Sequence, residues 1–192
     1  GFQLARPREG HLWRRQGEAH LSALGGDDEE RARLLSSVAA VLIAEGRYGD
    51  AVAPLNEALA LRRRALGPAH PAAAQCLLLL GNVAYFQGKY DEALGHYRAA
   101  IPIWERAQGP AHPYVAYALS NIGAVELAQG KHAAAAETSR RALAIEEAAL
   151  GPEHPSLADP LDNLGAALSA LGRDVPYNAF KVWGLPPAEG KK

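Results

Sequence analysis

The sequence predicts an all-α protein, a solenoid of antiparallel helix pairs, on three observations. Short strings recur every 42 residues along the chain. Apolar residues between those strings return at three- and four-residue steps, the period of a helix with one buried face. Glycine and proline interrupt the pattern at fixed places. Self-similarity at such a period marks a repeat architecture, in which each unit buries its apolar face against the next.

The linker strings Gly67-Pro68-Ala69-His70-Pro71, Gly109-Pro110-Ala111-His112-Pro113 and Gly151-Pro152-Glu153-His154-Pro155 are evenly spaced. So are the shorter turns Gly46-Arg47-Tyr48, Gly88-Lys89-Tyr90, Gly130-Lys131-His132 and Gly172-Arg173-Asp174. Residues 67–108 and 109–150 agree at about 18 of 42 positions, far above chance. Each unit reads as two helices. Over 71–87, Leu77, Leu80, Val83 and Ala84 recur at helical spacing and Gly88 ends the run. Over 91–107, Ala93, Tyr97, Ala100, Ile101 and Trp104 do the same before Gly109-Pro110. His-Pro opens the first helix of a unit, with proline where its missing N–H costs nothing. The helices are expected at 29–45, 49–65, 71–87, 91–107, 113–129, 133–149 and 155–171.

Small residues recur where helices must approach to an axis distance of about 8–10 Å. Gly81, Gly123 and Gly165 do so on first helices, with Ala39 in the first unit. Ala51, Ala93 and Ala135 open the second helices, and Ala58, Ala100 and Ala142 lie near their ends. Leu35, Leu77, Leu119 and Leu161 supply bulk between them. The ends differ. Residues 1–28 form an N-terminal capping region, in which 7–24 carry a weak stripe of Leu12, Trp13, Ala19, Leu21 and Leu24. Residues 29–172 are the solenoid, three full repeats plus the first helix of a fourth. Residues 173–192 are a C-terminal cap or tail. A short irregular helix over 176–183 is expected to cover Leu161, Leu164 and Leu168, because exposing one such side chain costs about 1.5–3 kcal/mol.

The run Leu80-Gly81-Asn82-Val83-Ala84-Tyr85-Phe86-Gln87-Gly88-Lys89-Tyr90-Asp91-Glu92-Ala93, followed by Tyr97 and Ala100, resembles the tetratricopeptide repeat. With its Leu-Gly-Pro-x-His-Pro linker, the unit resembles the 42-residue variety of kinesin light chains. That resemblance implies a right-handed superhelix whose first helices line a concave, peptide-binding groove.

Composition narrows the chemistry. The net charge is −1, so neither nucleic acid nor a membrane surface is expected as a partner. No stretch approaches the length of a bilayer span, Gly1 to Arg15 has no signal-like apolar run, and a cytoplasmic location is expected. The chain contains no Met, which points to a processed protein, a trimmed form or a piece of a longer one. Cys76 is the one cysteine. Inside a helix, with no basic neighbour in sequence, it reads as a packed hydrophobe. No catalytic or phosphate-binding motif is present. His70, His112 and His154 sit one repeat apart, too far to share a metal ion, and read as helix caps. Glu45, Glu57, Glu92, Glu105, Glu126 and Glu147 read as a solvated face. No cofactor, metal or enzymatic activity is expected.

What remains is recognition. Counting back from each turn glycine, the resemblance places Arg33, Ser36, Ser37, Ala40 and Ile43 in the groove from the first unit. It adds Gln75, Leu78, Leu79, Asn82 and Tyr85 from the second, and Tyr117, Ser120, Asn121, Ala124 and Leu127 from the third. The fourth gives Asp159, Asp162, Asn163, Ala166 and Ser169. Asn121 and Asn163 are equivalent, and an Asn side chain can pair with a peptide backbone without reading its sequence. Leu78, Leu79, Tyr85 and Tyr117, together with Phe86, are expected to form an apolar and aromatic surface, the alternative being that some of them, Leu79 and Phe86 above all, pack inward against neighbouring helices. Members of the family that clamp a C-terminal carboxylate use Lys and Arg here. This chain has Leu78, Tyr117 and Asn121, with Asn82 the clearest clamp-like match, so the clamp is expected to be missing. Ligands are expected to be apolar or aromatic, with any charge positive. The site expected is thus Asn82, Asn121, Asn163, Tyr85, Tyr117, Leu78 and Asp162, in a module that binds a peptide or protein segment. A structural scaffold, or a regulatory region of a larger bacterial protein, is the alternative.

Overall fold

A computed structural model describes residues 27–173. The expected cap at 7–24 and tail at 176–183 lie outside the described residues. Within them the chain forms seven α-helices and no strand. These are α1 (Asp28–Ala44), α2 (Tyr48–Leu66), α3 (Pro71–Phe86), α4 (Tyr90–Gln108), α5 (Pro113–Ala128), α6 (His132–Leu150) and α7 (Ala158–Ala170). The first helices of the repeats are α1, α3, α5 and α7, and the second helices are α2, α4 and α6. Every turn glycine from Gly46 to Gly172 has a positive φ, the conformation that lets a helix end and the chain reverse. Contacts divide the chain into two units, 1–88 and 89–192.

In the first unit, Asp27 caps α1 by accepting from the Glu29 N–H at 3.0 Å. Three acidic residues follow, where the helix dipole favours them. Ion pairs hold α2 antiparallel to α1. Arg64 near the end of α2 donates to both oxygens of Asp28 at 2.6 and 2.5 Å, and Arg31 pairs with Glu57. Ala39, Ala51, Leu55 and Ala58 are fully buried between the helices. The third helix packs on α2, where Arg62 donates to the Ala72 carbonyl at 3.1 Å.

In the second unit, Gln129 after α5 reaches Asp91 at the start of α4 (3.0 Å), which sets the two antiparallel. Where α5 crosses α6, a Cβ on Gly123 would lie 2.7 Å from the Ser139 hydroxyl, so the crossing admits only glycine without adjustment. The recurring alanines Ala93, Ala100, Ala135 and Ala142 are all fully buried, as the repeat requires.

One expectation is corrected. The last helix does not run unbroken from 155. Pro155–Leu157 is a single 3-10 turn, and α7 starts at Ala158. Pro160 has no N–H to return to the carbonyl four residues back, and its ring crowds that carbonyl, so the opening turn tightens. Within the described residues, Leu164 and Leu168 pack with Ala135 and Ala136 of α6, and Leu161 packs with Leu157 and Leu143.

Candidate functional site

The linker histidines are structural. His70, His112 and His154 each accept, through Nδ1, the N–H two residues on, at 3.2 Å. The same His-Pro pair caps the helix start and supplies its first residue in all three linkers. Among the described residues no group of three His, Cys, Asp or Glu could hold a metal ion, and no helix is long and apolar enough to cross a membrane.

Cys76 is fully buried, as a packed hydrophobe should be. The reading that it lacks a basic neighbour is overturned: Arg62 Nη1 lies 3.2 Å from its sulfur. Arg62 comes from the preceding helix, 14 residues away, beyond the reach of local sequence inspection. It is itself buried, 3.8 Å from the Glu29 carboxylate. One and two repeats later the same position holds Trp104 and Glu146. Trp104 meets Tyr114 with ring centroids 5.4 Å apart. Glu146 is only 3% exposed, and one carboxyl oxygen has no hydrogen-bond partner among the described residues. Burial, with Asp159 as the lesser cause, pushes its pKa up to about 7. Glu126 is buried too and does not belong to a solvated face, which corrects that expectation.

The residues expected in the groove divide by burial. Tyr117 and Asp162 are exposed, while Asn82, Tyr85, Asn121 and Asn163 are half-buried. Leu78 is a correction: at 9% exposure it belongs to the core. Four consecutive leucines from Leu77 to Leu80 cover more than a full turn of α3, so spacing could not say which pointed outward. Ser120 is buried as well. Asn163 donates through Nδ2 to the Ser120 carbonyl at 3.0 Å, which ties α7 to α5. Its donor is therefore committed within the fold.

Exposed aromatic side chains among the described residues are confined to first helices. Phe86 on α3 is 55% exposed, and Tyr114 and Tyr117 on α5 are 42% and 40% exposed. Phe86 stacks on Tyr48 (centroids 4.9 Å, 11° between planes) and meets Tyr85 edge-on at 5.5 Å. On the second helices Tyr97 and Trp104 are buried, while Tyr48 and Tyr90 are half-buried. Among the first helices only α1 carries basic residues, Arg31 and Arg33; α3, α5 and α7 contain no Lys or Arg. A shallow pocket of about 430 Å³ also opens on the first unit between Leu34, Leu35 and Val38 of α1 and Asp50, Ala53 and Glu57 of α2. The matching residues of α3 and α5 are buried, so this is the surface on which a repeat stacks.

Comparison with known proteins fits this geometry. The profile of the tetratricopeptide repeat matches residues 30–106, 77–147 and 114–174. The chain belongs to the tetratricopeptide repeat family. BtubC (BKLC) from P. vanneervenii has a similar structure, with a TM-score of 0.78 at 20% identity over 95% of this chain and 76% of that one. A kinesin light chain protein of Podosopora anserina with nearly identical TPR-like repeats gives a TM-score of 0.68 at 20% identity, over 92% and 90% of the two chains. The apo form of RapI gives 0.75 at 20% identity over 91% of this chain, which spans 46% of RapI. At this identity the structural likenesses establish the fold alone. No curated protein matches the chain in sequence. The 42-residue unit, with its paired helices and His-Pro linker, is thus a tetratricopeptide repeat, and such repeats typically serve protein–protein interaction.

Proposed function

We propose that the chain is a non-enzymatic interaction module that binds a peptide or protein segment on its first helices. The confinement of exposed aromatics to those helices carries this reading. A tyrosine left in water on one helix set, while the other leaves none of its aromatics exposed, supplies contact area at low entropic cost. Asn82, Asn121, Tyr85, Tyr117 and Asp162 are the residues we assign to the contact. Asn163 contributes at most its carbonyl oxygen, and Leu78 supports the surface from beneath.

Site-specific photocrosslinking tests the reading. A benzophenone amino acid in place of Tyr117 should yield discrete protein adducts in host lysate, identified by mass spectrometry. The same group in place of Arg140, exposed on α6, should not. Adducts from the α6 position alone, or none from either, would contradict the assignment.

A further inference from the structure

The first helix of the first unit has a side that its counterparts do not leave open. In the 42-residue register Leu35 becomes Leu77, Leu119 and Leu161, and Val38 becomes Leu80, Ile122 and Leu164. All six later residues are buried. Leu35 and Val38 are half-buried and, with Leu34, border the pocket of about 430 Å³ between α1 and α2. What covers the later residues is the second helix of the preceding repeat. On α3, Cys76 beside Leu77 lies under Arg62 of α2. On α7, Leu164 packs with Ala135 and Ala136 of α6, and Leu161 with Leu143. The groove on α1 therefore has the form that receives a second helix from the N-terminal side.

One segment of this chain stands in that place. Residues 7–24 precede α1 as 49–66 precede α3, and Gly25 falls where Gly67 caps α2. Only Gly25 and Gly26 separate residue 24 from Asp27, the cap of α1, so the segment is tethered beside the groove at high effective concentration. Trp13 falls in the column of Leu55, Tyr97 and Ser139, which is fully buried in all three second helices. Ala19 is in register with Leu61, also buried. Glu9 and Gln16 fall where Ala51 and Ala58 are buried against the first helix of their own pair. The register thus sets an indole in the buried column and polar residues on the side where a further first helix would approach. That division suits an element that ends a solenoid.

We propose that residues 7–24 of this chain lie across α1 and close the groove bordered by Leu34, Leu35 and Val38, with Trp13 the side chain that fills it. The first unit is then sealed by its own chain, and this end of the repeat array is withheld from a second copy.

Fluorine NMR on the full chain labelled with fluorotryptophan tests it. The chain has three tryptophans, and Trp13→Phe assigns the signal of Trp13. A dissolved paramagnetic probe should broaden that signal severalfold less than it broadens the same residue in a synthetic peptide of residues 7–24. Leu34→Ser combined with Val38→Ser should raise the broadening toward that of the free peptide. Trp13→Ala, read by hydrogen–deuterium exchange, should speed exchange in α1 severalfold and leave α5 unchanged, which decides the matter if the groove variant fails to fold. A Trp13 as accessible as in the peptide would overturn the proposal. So would shielding that a folded groove variant does not change, or exchange in α1 that is indifferent to Trp13→Ala. Shielding that appears only at concentrations where sedimentation shows a dimer would overturn it too, because the occupant would then be a second copy.

Discussion

His112 shows how much one side chain can say in advance. A histidine before a proline, repeated at a fixed interval, has a local job that needs no tertiary partner, and all three examples accept the expected N–H. Replacing His112 by Ala should cost about 0.5–2 kcal/mol in a urea titration, and His112→Asn distinctly less, because Asn also caps. Glu146 is the opposite case. Nothing near it in sequence distinguishes it from its solvated neighbours, since its burial depends on α7 and the turn before it. The folded chain holds this carboxyl protonated to about pH 7, while the unfolded chain releases the proton at the ordinary carboxylate value. Below that ordinary value both states are protonated and the contribution to stability is full. As the pH rises only the unfolded state gains by ionising, so stability falls until about pH 7 and then levels off. The loss should be about 1–2 kcal/mol after allowance for partial solvation. Glu146→Gln should flatten that slope in unfolding measurements at a series of pH values. A slope unchanged in the variant would show that another group causes it.

Pairs of helices were largely legible because the repeat supplies its own controls. Gly123 recurs as Gly81 and Gly165 in a column that only close approach explains, and the Ser139 hydroxyl occupies the space a Cβ would need. Gly123→Leu should destabilise the chain by about 1–3 kcal/mol or more. Gly123→Ala should be milder, and Ser139→Ala should recover part of its cost, read as a coupling in a double-mutant cycle. Additive effects would mean that the crossing tolerates a methyl group. The start of α7 was illegible to periodicity, because Pro160 acts through a missing hydrogen bond that hydrophobic spacing does not register. The inward turn of Leu78 was hidden for a related reason. A helix apolar on nearly every side gives no contrast from which to read its outer face.

The proposed recognition surface occupies one helix set, and here the sequence was a partial guide. The turn glycines count off which residues belong to each first helix, and Tyr117 and Asp162 are exposed as that count expects. The commitment of Asn163 to Ser120 depends on the packing of α7 against α5, two helices separated by the whole of α6. The most direct test of the account is backbone hydrogen–deuterium exchange on the full chain, free and saturated with the protein crosslinked from Tyr117. Added protection confined to α3, α5 and α7 is the predicted result. Protection confined to α2, α4 and α6 would contradict the assignment of the interaction surface to the first helices.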